Sequence, residues 1–181
     1  MIFTFFRGLR LFRAFASDPR GSTAVEFALV SAPFFALLLA SIQTALVYFC
    51  GQCLETAAEK SGRLLLTGYA QTNTLSQQQY LALVCARLPS LLSCSNVMID
   101  VQSYSSFSSA VTSAPTVKFA KNGSVSNVWS FSPGNPGDIV VLRVMYQMPV
   151  IGGPLNFTLS NLSNGNHLLL ATAVFKNEQY Q

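Results

Sequence analysis

The chain has 181 residues, enough for about one domain and a membrane anchor. Half of the residues are apolar and only 10% are charged, against roughly 25% in an average soluble domain, so the composition calls for a membrane or a partner surface. The net charge of +4 argues against nucleic-acid binding, because the arginines concentrate in the first twenty residues and leave no basic face on the rest.

The N-terminal part of the chain combines a basic segment with an apolar one. Residues 1–21 interleave arginine with phenylalanine and leucine, which is typical of a peptide at an anionic membrane surface. Phe27 to Leu54 contains no charge, and about twenty helical residues cross the hydrocarbon layer. The run is too long for a removed secretory signal, whose apolar core has about 7–15 residues. We expect a transmembrane helix over about 27–49, with the N-terminus in the cytoplasm because the arginines precede it.

The helix is expected to continue beyond the membrane. Leu54, Ala58 and Leu65 recur at helical spacing, which indicates one face that packs against a domain. Gly68 is a plausible stop signal. A helix over residues 22–67 would be roughly 70 Å long, with one half in lipid and the other half projecting from it.

The remaining segment, residues 75–181, is predicted to form a small extracytoplasmic α+β domain. Ser76 can cap a helix that runs from Gln77 to about Leu88, where Pro89 ends or bends it. Alternating or β-branched patterns then predict three strands, at Val97–Tyr104, Asp138–Val150 and His167–Lys176. Periodicity alone leaves a helix open for the last of them. The predicted fold is a mainly antiparallel sheet against which the projecting half of the long helix packs.

The four cysteines fall into two close pairs, Cys50/Cys53 and Cys85/Cys94. An exported domain is expected to carry at least one disulfide, but four cysteines allow three connectivities and the sequence does not choose among them. The Cys50–Cys53 spacing matches a redox motif, although no strand precedes it. Its place at the membrane exit of a helix favours packing or a bridge between subunits.

Catalytic and metal-binding patterns are weak. His167 is the single histidine, and no spaced ligand cluster suitable for zinc accompanies it. The acids Asp100, Asp138 and Glu178 are too scattered along the chain to suggest a general acid and base. Nucleophile and nucleotide-binding motifs are absent from the sequence. We therefore expect no enzymatic activity, no cofactor, no metal and no small-molecule substrate.

The most informative spacing is a glycine followed five residues later by a glutamate, directly before the apolar run. A carboxylate at the start of a span is costly unless it is neutralised, so Glu26 is a functional candidate. Cleavage after Gly21 would free an α-amino group on Ser22 that is largely protonated near neutral pH. In a helix bundle Glu26 could pair with the neighbouring chain's Ser22 ammonium and set the axial register. The alternative is an incidental glutamate that reaches the headgroups.

This arrangement resembles the type IV prepilin signature. The run GSTAVEFALVSAPFF is similar to the TadE-like family of tight-adherence (Tad/Flp) pilus systems, and PGDIVVLRVMYQMPV and TAVFKNEQY are similar to that family's extracytoplasmic part. The resemblance implies a pilin-like minor pilin or pseudopilin of the bacterial inner membrane. Gly21 would then be the last leader residue, Ser22 the new N-terminus and Glu26 the register-setting acid.

The resemblance also implies partners: a prepilin peptidase, the major pilin, other TadE-like or TadG-like pseudopilins, and membrane lipid. The segment VCARLPSLLSC, which is similar to the family as well, suggests a disulfide between Cys85 and Cys94, with two buried thiols as the alternative. Ser22 departs from the aromatic first residue of many pilins, so N-methylation of its amine is left open. A rival hypothesis is an uncleaved, signal-anchored adhesin or envelope-sensing module.

Overall fold

The computed structural model describes residues 22–153 and 157–180. The chain forms a long apolar helix followed by a small domain with a three-stranded antiparallel sheet, which is the predicted α+β class. The elements in chain order are α1 (Ser22–Leu66), α2 (Tyr69–Thr72), α3 (Gln77–Cys85), β1 (Val97–Tyr104), β2 (Ile139–Pro149) and β3 (Asn166–Lys176), with short 3-10 turns at Cys94–Asn96 and Phe107–Ser109.

Helix α1 has 45 residues and is about 68 Å long at 1.5 Å per residue. It ends one residue before the predicted Thr67, and it continues through Pro33. The hydroxyls of Ser41 and Thr44 donate to the carbonyls of Leu37 and Ala40, four residues earlier. The helix itself therefore satisfies these polar groups inside its apolar half.

The end of α1 is set by Gly68 and the C-terminal tail. Gly68 has φ +75°, a conformation that side chains rarely adopt, and a Cβ there would lie 2.2 Å from the Tyr180 ring. The Glu178 amide donates to the Leu66 carbonyl at 2.8 Å and so satisfies an acceptor at the helix end. Glycine is required here for its backbone angle and for the close approach of the ring.

Helix α3 begins as predicted and ends early. Ser76 accepts from the Gln79 amide and the Gln79 side chain accepts in return from the Ser76 amide, a complete capping box. The helix stops at Cys85 rather than at Leu88. The turns that follow are closed by hydrogen bonds between residues three apart instead of four. Pro89 has no amide hydrogen to donate to the Cys85 carbonyl, and its ring would clash with that carbonyl in a continuous helix, which explains why the helix ends four residues ahead of Pro89.

The sheet has the order β1-β2-β3 and both pairings are antiparallel. Each strand lies within one residue of its predicted bounds, and β3 is a strand, which resolves the alternative that periodicity left open. Arg143 of β2 stands directly between Asp100 of β1 and Thr172 of β3. The predicted disulfide is confirmed between Cys85 and Cys94, whose Cα atoms are 5.6 Å apart.

The second half of α1 belongs to the core of the domain. Its residues at positions 47, 50, 54, 58 and 65 are each 9% exposed or less, and they repeat every three to four residues or a multiple of that spacing. They pack with apolar side chains of all three strands. Close approach to the sheet depends on Gly62, where a Cβ would lie 3.1 Å from the Phe175 ring. The prediction that the projecting half packs on the sheet is confirmed.

Candidate membrane and assembly surface

The first half of α1 is exposed and strongly apolar. Large side chains from Phe27 to Leu39 have exposed fractions between 43% and 71%. The mean hydropathy reaches 2.1 over eighteen residues. Contiguous apolar surface of this size marks a contact with lipid or with other helices. The length and composition of α1 suggest membrane anchoring.

Glu26 lies on this exposed half, one helical turn after Ser22. Residues four apart share a helix face, so the start of the helix and the carboxylate lie on the same side. Gly21 and the predicted leader 1–21 lie outside the described residues. Cleavage between Gly21 and Ser22, and a role of Glu26 in register, remain predictions.

The domain begins to cover α1 before the predicted end of the span. Val47 is 9% exposed and Cys50 is 1% exposed, both within the core cluster of the domain. Gln43, one turn earlier on the same face, has a side-chain nitrogen that is buried without a hydrogen-bond partner among the described residues. The last residues of the predicted span 27–49 therefore contact the protein's own domain on one face.

The cysteine pair on α1 consists of free thiols. Cys50 is buried in the core, and Cys53 is half-buried against it. A buried Cys50 thiol cannot reach another subunit, so the structure favours packing over the alternative of an intersubunit bridge through this residue.

An ion pair that the sequence reasoning missed lies on the sheet face opposite α1. Arg143 Nη1 is 2.7 Å from Asp100 Oδ2, and both side chains are about 4% exposed or less. The Asp100 carboxylate also accepts from the Ser130 amide and the Gln102 side chain, while Arg143 donates to the Val111 carbonyl. The pair therefore fastens the long segment between β1 and β2 onto the sheet. The sequence feature that could have predicted this ion pair is a single arginine within the strand DIVVLRVMYQMPV and a single aspartate within the strand VMIDVQSY.

The other polar candidates have structural partners. Asp138 accepts from the Asn135 amide at 2.8 Å, and the His167 ring contacts the Leu159 carbonyl. Glu178 is exposed, and its backbone bonds the end of α1. Across residues 22–153 and 157–180, no three or more His, Cys, Asp or Glu side chains gather where they could hold a metal. The structure does not bring the scattered acids together.

Comparison with known proteins places the similarity on the helix. Residues 21–63 match the family model of TadE-like proteins, and the predicted resemblance is confirmed over this segment. The match begins at the predicted last leader residue and ends three residues before α1 does. No curated protein and no solved structure matches the chain.

Proposed function

We propose, from the premise that this is a TadE-like, Tad pilus-related chain, that it acts as a minor pilin or pseudopilin in pilus assembly. The observation that carries the proposal is the division of α1. One face of its second half is buried in the domain, while its first half, within the family match, presents bare apolar side chains. A helix built in this way holds a folded domain at a fixed distance from a lipid layer or a helical bundle.

The proposed sequence of events begins in the inner membrane. The basic leader keeps the N-terminus in the cytoplasm, and the sheet domain lies on the opposite side. A prepilin peptidase cleaves after Gly21 and leaves Ser22 with a protonated amine. The shortened chain then packs its exposed helix beside the major pilin or beside other TadE-like or TadG-like pseudopilins.

Glu26 would set the axial register of that packing. In apolar surroundings a carboxylate and an ammonium attract each other strongly, so a pairing of Glu26 of one chain with Ser22 of the next favours one axial register over the others. The role is structural. The buried ion pair, the capping box of α3 and the disulfide all serve the fold, and we assign the chain neither a catalytic step nor a cofactor.

The intact mass of the mature protein tests the proposal. The chain, expressed in cells that contain a Tad system, is expected to lose residues 1–21. Gly21→Leu places a bulky side chain beside the cleaved bond and is expected to leave the full-length mass, whereas the matched leader variant Gly8→Leu still matures. A full-length parent chain in those cells would reject the proposal and favour the uncleaved adhesin or sensor.

A further inference from the structure

The two edges of the sheet are covered to different extents by the rest of the chain. An edge strand presents a row of N–H and C=O groups that no neighbouring strand binds, and native proteins normally cover or interrupt such a row. At the β1 edge the Ile99 carbonyl accepts from the Gln77 side chain. The Val101 amide donates to the Ser130 carbonyl, and the Val101 carbonyl accepts from the Ser132 amide. This edge is therefore closed to another strand.

The direction of the β3 backbone groups follows from contacts at its two ends. In an antiparallel strand, alternate residues direct their N–H and C=O groups to the same side. The Asn161 side chain, which lies outside the sheet, binds both the amide and the carbonyl of Leu168, at 2.7 and 3.4 Å. The amide of Asn177 donates instead to the carbonyl of Asp138, directly before β2. The even-numbered residues of β3 therefore direct their backbone groups away from β2.

The middle of this outer edge is bare. Leu170, Thr172 and Val174 each direct an N–H and a C=O group outward, and these groups have no hydrogen-bond partner among residues 22–153 and 157–180. The side chains of Thr172 and Val174 are exposed as well. The run LATAVF from Leu170 contains no charge and no proline, and its pairing with β2 is unbroken by a bulge. The devices that usually protect an edge strand are therefore missing from this one.

An extended polypeptide is the ligand that matches such a row. The outward donors and acceptors recur at every second residue, about 7 Å apart. The backbone of a strand carries acceptors and donors at the same spacing, so it can bind all of them at once.

A second copy of this chain fits the edge poorly. Its β1 edge is covered, and antiparallel pairing of two β3 strands requires a two-fold rotation that turns the two α1 helices in opposite directions. Two chains anchored in one membrane by the same segment have parallel helices. Parallel pairing of two β3 strands staggers them, so it cannot close as a symmetric dimer. The geometry favours a strand from a different polypeptide.

We propose that the outer edge of β3, defined by Leu170, Thr172 and Val174, is the site at which a strand of a different subunit of the pilus assembly adds to the sheet. The added strand lies beside β3 as a fourth strand and binds its outward N–H and C=O groups. Apolar or hydroxyl-bearing side chains suit the positions beside Thr172 and Val174, because cross-strand neighbours of these kinds stabilise a pair. This inference rests on the proposed role in pilus assembly and specifies the contact that the extracytoplasmic domain makes there.

Residue-resolved amide hydrogen exchange of the full-length chain tests the inference. The chain is measured alone in detergent and in the complex that co-purifies with the pilus machinery from cells with a Tad system. Alone, we expect fast exchange at Leu170, Thr172 and Val174, and slow exchange at Ala171 and Ala173, whose amides face β2. In the complex, exchange at the three outward amides is expected to slow by about tenfold or more, so that protection becomes continuous along the strand.

Each other outcome of the exchange experiment contradicts a defined part of the argument. Outward amides that stay fast in the purified complex would overturn strand addition and leave the assembly role intact. Protection that appears in the isolated chain and rises with its concentration would identify a second copy as the occupant and overturn the proposal. Protection in the isolated chain at every concentration would show that the chain covers its own edge. A chain that does not co-purify would overturn the assembly role and the inference together.

Thr172→Pro tests the same edge by mutation. The variant removes one outward N–H and no bond to β2, and proline is tolerated at an edge where the amide faces outward, so the fold is expected to persist. Its recovery in the complex should fall by about tenfold, whereas Thr172→Val keeps the amide and should be recovered like the parent. Urea unfolding shows that both variants are folded. Full recovery of folded Thr172→Pro would contradict the proposal, and if that variant does not fold, the exchange pattern of the parent decides.

Discussion

Two glutamates on α1 occupy opposite surroundings. Glu26 lies on the bare apolar half, whereas Glu55 lies beyond Val47 on the solvent side of the helix and accepts from the Gln52 side chain at 3.1 Å. An exposed contact of this kind contributes little, because water competes for it. A carboxylate beside lipid gains much more from a cationic partner.

We predict that Glu26→Gln matures normally but no longer assembles with the pilin partners proposed above. The neutral amide leaves the Ser22 ammonium of the adjacent helix without a counter-charge, so the register loses its reference. Intact mass reports maturation, and co-purification with the pilus machinery reports assembly. Glu55→Gln is the matched control and is expected both to mature and to assemble. Normal assembly of Glu26→Gln would contradict the register role.

The ion pair between Asp100 and Arg143 leads to a second prediction. Asp100→Leu or Arg143→Met alone is expected to lower the free energy of unfolding by about 3–5 kcal/mol, because each leaves a buried charge unpaired. The double variant Asp100→Leu/Arg143→Met should recover much of that loss. Urea unfolding of the detergent-solubilised chain measures all three variants. Additive losses in the double variant would show that the two side chains act independently.

At the scale of elements, α3 is fastened to α1 by a tyrosine. Tyr80 is fully buried, and its hydroxyl donates to the Ser61 carbonyl at 2.9 Å. Burial raises the pKa of the Tyr80 hydroxyl above its ordinary value, because the phenolate would lose its hydration. Desolvation, and then the nearby Asp138 carboxylate, raise the pKa of Tyr180 in the same direction.

These shifts predict a loss of stability in alkali. A tyrosine whose pKa is raised in the folded protein keeps its proton to a higher pH there than in the unfolded chain. Its contribution to the free energy of unfolding is therefore complete below the unfolded pKa of about 10 and is lost as the pH rises above that value. Urea unfolding between pH 8 and pH 11, a range chosen around that value of about 10, measures the effect. Tyr80→Phe should flatten the dependence, and the Tyr180 contribution should remain. An unchanged slope in Tyr80→Phe would contradict the assignment.

For the whole molecule, the first half of α1 has the length and composition that suggest an anchor, and its second half contributes to the core. Leu54, Ala57 and Leu65 are fully buried against the sheet domain, whereas the helix before Val47 contributes little to that core. Removal of the anchor should therefore spare the fold, and removal of the whole helix should destroy it.

We predict that a fragment of residues 47–181 folds and stays soluble, and that a fragment of residues 67–181 does not fold. The shorter fragment would expose the apolar sheet face that α1 covers. Circular dichroism and the sharpness of thermal unfolding compare the two fragments. A cooperative transition in residues 67–181 would show that the sheet domain does not need the helix.

Local patterns were sufficient for the elements themselves. The first two strands followed from alternation and β-branched runs, the start of α3 from the Ser76 cap, and the end of α1 from Gly68, whereas periodicity left a helix open for β3. The extent of α3 was overestimated because the influence of Pro89 reaches back several residues. Each of these features is decided by neighbours in the chain, which is why one sequence is enough to predict them.

The sequence by itself determined that an apolar helix precedes a small α+β domain, and it identified Gly21, Ser22 and Glu26 as the candidate processing and assembly residues. Only the tertiary structure decided that Asp100 pairs with Arg143 and that the core begins at Val47. The physical reason is sequence separation. Asp100 and Arg143 are 43 residues apart, and Val47 shares a core cluster with strand residues that begin 50 positions later, at Val97, so only the register of the sheet and its alignment with the helix bring them together.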